Sequence, residues 1–331
     1  MAVNRDDIAR IAGVSSATVS RVFNTPDRVA DATVRKVRAA ADRAGYRPNK
    51  FASALRRNTS GTIVFLENKP VQRKGPDRSY MWFYADVIQA VKQVLDKSMY
   101  TLVLQSCTGQ KNIASLVKDK PAGVIIHQVH DIRIMRCLHS ANIPVVGCYR
   151  RKFRNYNYVV VDEVHGGQTA GRHLAETGHK NPVHITARLK TCEPCALRWK
   201  GFQKAFRKKP QLIQGELGFQ GGLASGYQLA ERVRSGQADS AMVVNDLTAT
   251  GVLQALEQKG IRVPEDVSII GYDNLPFTET LPVRLSTVAL SLDRVYTIAA
   301  EHLLAAIQHP APIRKSVKPT LVPGESVIPR T

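Results

Sequence analysis

Apolar residues recur at helical spacing in three short segments at the start of the chain. In the first two segments the apolar positions are Ile8, Ala9 and Ile11, followed by Val14, Val19 and Val22. Gly13 lies between them, and glycine accepts the left-handed backbone that a tight helix–turn–helix connection needs. Asn4 and Ser15 stand where side-chain caps of the two helices are expected. A third amphipathic helix is predicted from Asp31 to Ala44.

The second predicted helix turns small and hydrogen-bonding side chains away from its apolar side. These outward residues are Ser16, Ala17, Ser20 and Arg21. Side chains of this kind suit entry into the major groove of DNA. The segment therefore predicts a DNA-reading module. The alternative interpretation is a two-helix piece of an enzyme core.

After Gly61 short apolar runs alternate with amphipathic stretches, which is typical of parallel sheets covered by helices. The first series of predicted strands is Ile63–Leu66, Tyr100–Leu104, Gly123–Ile126 and Pro144–Gly147, and the second is Tyr158–Val161, Val183–Ile185, Ala241–Val244 and Val267–Gly271. The predicted helices are Phe83–Leu95, Ile113–Val117, Ile132–Leu138, Gly167–Glu176, Leu197–Phe206 and Thr250–Lys259. Two such series predict an α/β core of two doubly wound lobes, with a ligand cleft at the carboxyl ends of the strands.

The charge of the chain supports a nucleic-acid partner for its first part. The net charge of the 331 residues is +20, and residues 1–60 hold 12 Lys and Arg against 5 Asp and Glu. Excess positive charge there fits contact with DNA phosphates. The remaining positive charge is open to two interpretations, a generally basic surface or an anionic ligand.

Several classes of protein are disfavoured by what the sequence lacks. No apolar run approaches the roughly 20 residues of a membrane span, and no secretory signal is present, so we expect a cytoplasmic protein with no membrane partner. No catalytic motif or metal-ligand spacing is found, so we expect neither an enzyme nor a bound metal or cofactor. Five cysteines in a chain of this length predict reduced thiols. The Cys192–Cys195 spacing suits a zinc site, a redox dithiol or chance, and chance is favoured because no other ligands are paired with it.

Motifs along the whole chain resemble those of the LacI/GalR family of transcriptional regulators. In the N-terminal part they are AGVSSATVSRVFN at 12–24, GYRPN at 45–49 and A-x-x-L from Ala52 to Leu55. In the core they are GHK at 178–180, RWKGF at 198–202, Asn245-Asp246 followed by Ala249 and Gly251, and VPEDVSIIGYDN at 263–274. The chain is identified as a member of this family.

The resemblance implies a domain organisation and a function. The domains are a helix-turn-helix headpiece at 1–48, a hinge helix and linker at 49–60, and an effector-binding and dimerisation core at 61–331, with an N-subdomain of about 61–160 and 291–320 and a C-subdomain of about 161–290 and 321–331. The implied function is that of a homodimeric repressor whose affinity for near-palindromic, double-stranded operator DNA is controlled by a small effector, a sugar or sugar derivative. The alternative is a two-lobed solute-binding or sugar-processing protein without a regulatory role, but such a protein would lack the headpiece.

The resemblance and the residue chemistry together nominate two sets of contacts. The DNA-binding set is Ser15, Ser16, Ala17, Thr18, Ser20, Arg21, Asn24, Arg28, Asn49, Ala52 and Leu55. The effector-binding set is Phe83, Tyr84, His127, Tyr149, Arg150, Arg198, Phe219, Asn245 and Asp273. Arg198 and Asp273 match the residues that reach the effector in the family, and an arginine fork with a carboxylate suits vicinal hydroxyls or a carboxyl group. Arg150 and Arg151 lie side by side in the sequence, so an anionic effector is a second possibility. Gly221-Gly222 looks like a two-residue insertion near Phe219.

Overall fold

The computed structural model of the chain describes residues 3–24, 26–46, 60–68, 79–107, 110–127, 131–148 and 155–330. Five of the predicted contact residues lie outside these ranges, namely Asn49, Ala52, Leu55, Tyr149 and Arg150. Arg151 lies outside them as well.

The three predicted N-terminal helices are confirmed as α1 (Arg5–Ala12), α2 (Ser16–Asn24) and α3 (Asp31–Arg43), with a 3₁₀ turn at Pro26–Arg28. Both predicted caps form. The Asn4 side chain accepts hydrogen bonds from the first turn of α1, and the Ser15 hydroxyl accepts the backbone N–H of Thr18 at 3.1 Å. Gly13 adopts the left-handed conformation, with φ of 58°.

Their shared core contains Ile8, Ala9, Ala12, Val19, Val22, Val37, Ala40 and Ala41. The placement of Ile11 on the buried side was wrong, since 55% of this residue is exposed. Ala12 occupies the inward position one helical turn after Ile8, and this leaves Ile11 at the edge of the buried stripe.

The rest of the chain alternates strands and helices. The strands are β1 (Thr62–Asn68), β2 (Thr101–Cys107), β3 (Gly123–His127), β4 (Val145–Cys148), β5 (Tyr158–Val161), β6 (Pro182–Thr186), β7 (Gln211–Gln214), β8 (Ser240–Val243), β9 (Ser268–Ile270), β10 (Thr287–Ala289), β11 (Arg314–Val317) and β12 (Thr320–Val322). The helices are α4 (Ser79–Leu95), α5 (Gln110–Lys118), α6 (Ile132–Ser140), α7 (Glu163–Glu176), α8 (Glu193–Gln203), α9 (Gly218–Arg234), α10 (Asp246–Gln258) and α11 (Leu292–Gln308). No helix within the described ranges is long and apolar enough to cross a membrane.

Two parallel sheets form the core, as the pattern predicts. The first has the strand order β11-β5-β4-β3-β1-β2, and the second has the order β7-β6-β8-β9. Strands β10 and β12 form a separate antiparallel pair. One apolar cluster, including Phe65, Val146, Trp199 and Tyr272, continues from the first sheet to the helices of the second.

The assignment of Tyr158–Val161 to the second series was wrong. This strand, β5, pairs with β4 through Gly147 and Tyr158 and with β11 along its whole length, so it belongs to the first sheet. An apolar run reveals a strand but does not show which sheet it joins. The fourth strand of the second sheet is instead β7, whose sequence QLIQ has only two apolar residues and was not predicted.

Glycines bring α9 and α10 into backbone contact. A Cβ on Gly222 would lie 2.0 Å from the carbonyl oxygen of Thr248, and one on Gly251 would lie 2.0 Å from that of Phe219. Any larger residue at either position would therefore force the helices apart. The Gly221-Gly222 pair lies inside α9, where Gly222 allows this close approach.

His184 lies at the centre of β6, and its protonation should affect the stability of the fold. It is fully buried, stacks on Trp199 with ring centroids 5.7 Å apart, and donates from Nδ1 to the carbonyl of Met242 at 3.1 Å. Its Nε2 has no hydrogen-bond partner among the described residues. Burial lowers the pKa of His184 to about 3.

We expect the pH dependence of stability to respond to His184→Leu. Below pH 6.5 this histidine is protonated in the unfolded chain, whereas in the folded chain it is protonated only below about pH 3. Acid therefore lowers the free energy of unfolding. Because of His184, the free energy of unfolding of the wild type should fall by about 2 kcal/mol between pH 7 and pH 5, as measured by urea unfolding. The variant should not show this loss. His309→Leu, at an exposed position, is the control. Equal pH dependence of wild type and His184→Leu would contradict this account.

Candidate functional site

The predicted DNA contacts of α2 and its flanking residues differ in their exposure. Ser15, Ala17, Arg21 and Arg28 are exposed, whereas Ser16, Thr18 and Ser20 are half-buried. Ser15 and Thr18 share a hydrogen bond between their hydroxyls at 2.9 Å, and the Ser16 hydroxyl accepts the Arg5 Nε–H at 2.6 Å. Asn24 ends α2.

Two features extend this surface. Arg5, which the sequence argument missed, is held beside the start of α2 by its bond to Ser16. The exposed basic residues of α3 are Arg35, Lys36, Arg38 and Arg43. A helix that exposes Ala17 and Arg21 within a basic domain has the side chains to meet a thymine methyl and a base edge or phosphate.

In the second lobe Arg198 is buried and enclosed by partners. Its Nε and Nη2 donate to the two carboxylate oxygens of Glu163 at 2.8 and 3.1 Å, and its Nη1 donates to the carbonyl of Val244 at 2.6 Å. The guanidinium carbon lies 3.8 Å from the centre of the Tyr272 ring. The Tyr272 hydroxyl donates to Glu163 at 2.8 Å. We call Arg198, Glu163 and Tyr272 the Arg198 network.

The charge on Arg198 is retained in this network. Burial by itself disfavours the cation, but the adjacent Glu163 carboxylate outweighs burial and raises the pKa of Arg198. The negative field of Asp273 adds to this rise, so Arg198 and Asp273 share one electrostatic environment. Sequence reasoning nominated both residues but missed Glu163 and Tyr272.

The crossing of α7 and α8 makes the network possible. A Cβ on Gly167 would lie 2.0 Å from the carbonyl oxygen of Arg198, and one on Gly201 would lie 1.9 Å from that of Val164. With glycine at both places the helices touch backbone to backbone. Glu163, at the start of α7, therefore lies within hydrogen-bonding distance of Arg198.

Asn245 and Asp273 lie just beyond the carboxyl ends of β8 and β9. Both are buried, and Asn245 caps α10 by accepting the backbone N–H of Thr248 at 2.8 Å. Asp273 has a positive φ of 119°, and its backbone N–H donates to the carbonyl of Val288 at 2.8 Å. The structure thus brings Arg198, Asn245 and Asp273 to one edge of the second sheet.

Asp246 anchors the loop that carries Asp273. It is fully buried, and its carboxylate accepts the backbone N–H of Leu275 at 2.8 Å and the hydroxyl of Thr287 at 2.7 Å. Burial raises the pKa of Asp246 to about 7, although these hydrogen bonds oppose the rise. Asp246 therefore ties the start of α10 to the loop that follows β9.

Phe219 lies in the first turn of α9 and is 36% exposed. The backbone N–H of the preceding Gly218 donates to the Thr248 hydroxyl at 2.9 Å. Thr248 also donates to the cap at Asn245, so Phe219 is tied to the same edge of the sheet. An exposed ring in this place can cover one face of a bound molecule.

The predicted residues of the first lobe form an aromatic group around Phe65. His127, Tyr84 and Tyr296 have ring centroids 5.7, 6.2 and 5.8 Å from that of Phe65. Nδ1 of His127 shares a hydrogen bond with the Tyr296 hydroxyl, and burial lowers the pKa of His127 to about 4. Phe83 is half-buried and packs against the apolar cluster that contains Phe65.

Glu67, which sequence reasoning missed, adds an acceptor to this lobe. Burial of Tyr84, together with the charge and hydrogen bonding of Glu67, raises the pKa of Tyr84 to about 12. Ser106 donates a second hydrogen bond to Glu67 at 3.1 Å. Glu67 lies near the carboxyl end of a strand, which is a signal that the sequence does offer.

A small pocket opens where β5 leads into α7. Its lining residues are Val160, Val161, Asp162, Glu163, Val164, Glu193, Pro194 and Leu197. It adjoins the Arg198 network through Glu163, but none of the predicted effector contacts in the described ranges lines it. Oε2 of Glu193 is buried without a hydrogen-bond partner among the described residues.

The expectation that all five cysteines are reduced was wrong. Cys192 and Cys195 form a disulfide with their Cα atoms 5.3 Å apart. Cys192 is the N-terminal cap residue of α8, and the first helical turn brings Cys195 close to it. Within the described ranges, no group of three or more His, Cys, Asp or Glu residues could hold a metal ion.

Comparisons with known proteins agree with this architecture. The family profile described as bacterial regulatory proteins, lacI family, matches residues 6–49, and that of a periplasmic binding protein-like domain matches residues 172–327. The HTH-type transcriptional repressor PurR of Vibrio atlanticus is 30% identical, over 95% of this chain and 98% of its own.

Two solved structures share the fold. A LacI family transcriptional regulator from Enterococcus faecalis V583 with bound ribose is 25% identical, with a TM-score of 0.66 over 82% of this chain and 100% of its own. A lac repressor dimer bound to operator and the anti-inducer ONPF is 22% identical, with a TM-score of 0.69 over 99% of this chain and 100% of its own.

The Arg198 network should be essential to the stability of the second lobe. Glu163→Gln keeps the shape of the side chain but leaves the buried guanidinium without its countercharge, so we expect a loss of about 3–5 kcal/mol in urea unfolding. The double variant Glu163→Leu/Arg198→Met removes both charges and should regain most of that loss.

The matched control is the exposed pair Arg262–Asp266, joined at 2.7 Å. Because water screens this pair, Asp266→Asn should cost less than about 1 kcal/mol. A Glu163→Gln loss no larger than that of the control would contradict the proposed importance of the buried pair.

Proposed function

Because the chain belongs to the LacI family of bacterial regulatory proteins, we propose that it is a cytoplasmic, non-enzymatic repressor that binds operator DNA as a homodimer under the control of a sugar effector. The observation that carries this proposal is the combination, in one chain, of a helix-turn-helix with an exposed recognition surface and a two-lobed core with a polar site. A solute receptor or sugar-processing enzyme has no use for the first part. Family membership also favours the regulator.

Two headpieces in a dimer would meet two half-sites of a near-palindromic operator. Helix α2 would enter the major groove, where Arg21 reaches a base edge or phosphate and Ala17 meets a thymine methyl. Ser15, Ser16, Thr18, Ser20, Asn24 and Arg28 would position this helix on the DNA backbone. The lac repressor dimer bound to operator supports the dimeric mode.

The hinge is the proposed link between DNA and core. Asn49, Ala52 and Leu55 would form a helix on operator, with Leu55 inserted into the minor groove as an apolar wedge. Ordering this segment costs conformational entropy. Effector binding between the lobes would then change operator affinity by favouring or opposing the hinge helix.

Arg21→Ala should weaken specific operator binding by about 1–3 kcal/mol, the value of a good base contact. The operator would first be recovered by selection from random DNA, and binding to it and to random DNA would be measured by fluorescence anisotropy at fixed salt. Arg172→Ala removes the same charge from an exposed position of α7 and serves as control. Unchanged discrimination between operator and random DNA in Arg21→Ala would exclude the assignment.

We propose that the effector is a small polyol held at the edge of the second sheet. Three of the five N–H donors of Arg198 are engaged by the described contacts, so two are available to a ligand hydroxyl or ring oxygen. Asp273 would accept hydroxyl donors, Asn245 would add an amide, and Phe219 would cover a sugar face. Bound ribose in the Enterococcus faecalis regulator supports a sugar.

The first lobe would complete the site. Phe83, Tyr84 and His127 would provide an aromatic wall with a neutral imidazole, since His127 stays unprotonated at neutral pH. Tyr149 and Arg150, which follow β4 in the chain, would contribute the remaining contacts, and Arg150 would favour an acidic sugar.

Asp273→Asn should abolish most of the effector affinity while keeping the size of the side chain. Loss of a charged acceptor inside a site typically costs about 2–5 kcal/mol. Calorimetry of the full chain would begin with ribose and extend to other neutral and acidic sugars. Asp293→Asn, at an exposed position, is the control. Wild-type affinity in Asp273→Asn would place the ligand elsewhere.

A further inference from the structure

We propose that Cys192 and Cys195 are a reversible dithiol–disulfide site, through which thiol redox chemistry changes the pocket beside the Arg198 network. The regulatory consequence rests on the function proposed above, whereas the redox chemistry of the pair stands independently of it. Disulfides in cytoplasmic proteins are usually transient and serve catalysis or redox sensing.

The two sulfurs are unequally accessible. Cys192 is half-buried at the start of α8, whereas Cys195 is only 2% exposed. The accessible member can react with a molecule from solution, and the neighbouring buried member can then complete the disulfide. Cys107, Cys137 and Cys148 take part in no disulfide.

The position at a helix N-terminus favours reactivity. Cys192 is the cap residue, and its side chain makes no capping hydrogen bond in the disulfide form. A thiolate there would lie at the positive dipole end of α8, which stabilises the anion. Pro194 lies between the cysteines and fixes its own φ, so the first turn should keep both sulfurs close after reduction.

The pair is built into the wall of the pocket. Glu193 and Pro194, the residues between the cysteines, both line it, and so does Leu197. Arg198 is the residue after Leu197 in the chain. In the disulfide form the first turn of α8 is fixed with the buried Oε2 of Glu193 lacking a partner within the described residues. Reduction would release this turn and allow Glu193 to move relative to Glu163 and Arg198.

Hydrogen peroxide would serve as the oxidant of the pair. The Cys192 thiolate attacks one oxygen of hydrogen peroxide, forming a sulfenic acid and releasing hydroxide, which takes up the thiol proton as water. The Cys195 thiol then attacks the sulfenic sulfur, forming the disulfide and releasing a second water. Two molecules of a small monothiol reverse the process and leave as their own disulfide.

The site itself is tested by mass spectrometry of the full chain. Cleavage after Lys190 and Arg198 gives one peptide, Thr191–Arg198, that contains both cysteines. Reduced protein treated with hydrogen peroxide should give this peptide with a mass lower by two hydrogen atoms, and glutathione should restore it. Cys137→Ser, at an exposed position, is the matched control and should behave as wild type. Oxidation of Cys137 in wild type while the Thr191–Arg198 peptide stays reduced would overturn the proposal.

Coupling to the pocket is tested without any effector. Trp82→Phe leaves Trp199, on α8, as the single tryptophan, and its emission should shift between the reduced and oxidised forms. The double variant Cys192→Ser/Cys195→Ser should show no shift. An unchanged emission in a protein whose peptide is oxidised would overturn the coupling.

Regulation is tested on the selected operator with ribose absent and present. Oxidised and reduced wild type should differ in operator dissociation constant by about fivefold or more, the lower end of usual coupling strengths, and the double serine variant should not respond. Equal operator affinity of the two forms would overturn the regulatory role. If no DNA is bound in either form, the proposed function fails, while the peptide masses still decide the redox site.

Discussion

A guanidinium keeps its charge even when it is buried, and the architecture of the second lobe follows from this constraint. Arg198 has to meet a carboxylate, a carbonyl and an aromatic face at once, because an uncompensated charge in the core would be prohibitive. Its partners come from α7, from the end of β8 and from the loop after β9. The interaction therefore sets the mutual placement of these elements, and the predicted contacts Asn245 and Asp273 are adjacent to it.

Local pattern was enough to predict most of the fold. The helices predicted around Ile8 and around Val19, the turn at Gly13 and the two series of apolar strands all correspond to observed elements. Two of the failures share a cause. The sheet that β5 joins and the existence of the short edge strand β7 depend on pairing between distant segments, which a run of apolar residues does not encode.

The candidate site was predicted only in part, for a similar reason. Family motifs nominated Asn245 and Asp273, and a strand end nominated His127; all three lie at or just beyond the carboxyl ends of parallel strands. The partners of these residues were missed. Glu163 meets Arg198 only because glycines allow α7 and α8 to touch, and Tyr296 meets His127 across 169 positions of sequence. The disulfide was missed because the spacing alone did not separate chance from function.

The backbone contact between α9 and α10 has a mechanical consequence. Helices that pack through side chains can slide by small amounts as those side chains change rotamer. At Gly222 and Gly251 the two backbones meet without side chains between them, so we expect α9 and α10 to move as one unit. Phe219 lies in the first turn of α9 and Asn245 caps α10, so their separation should be kept when the lobe moves. A hinge that opens or closes this lobe on a ligand would therefore lie outside this helix pair, in the segments that connect the two sheets.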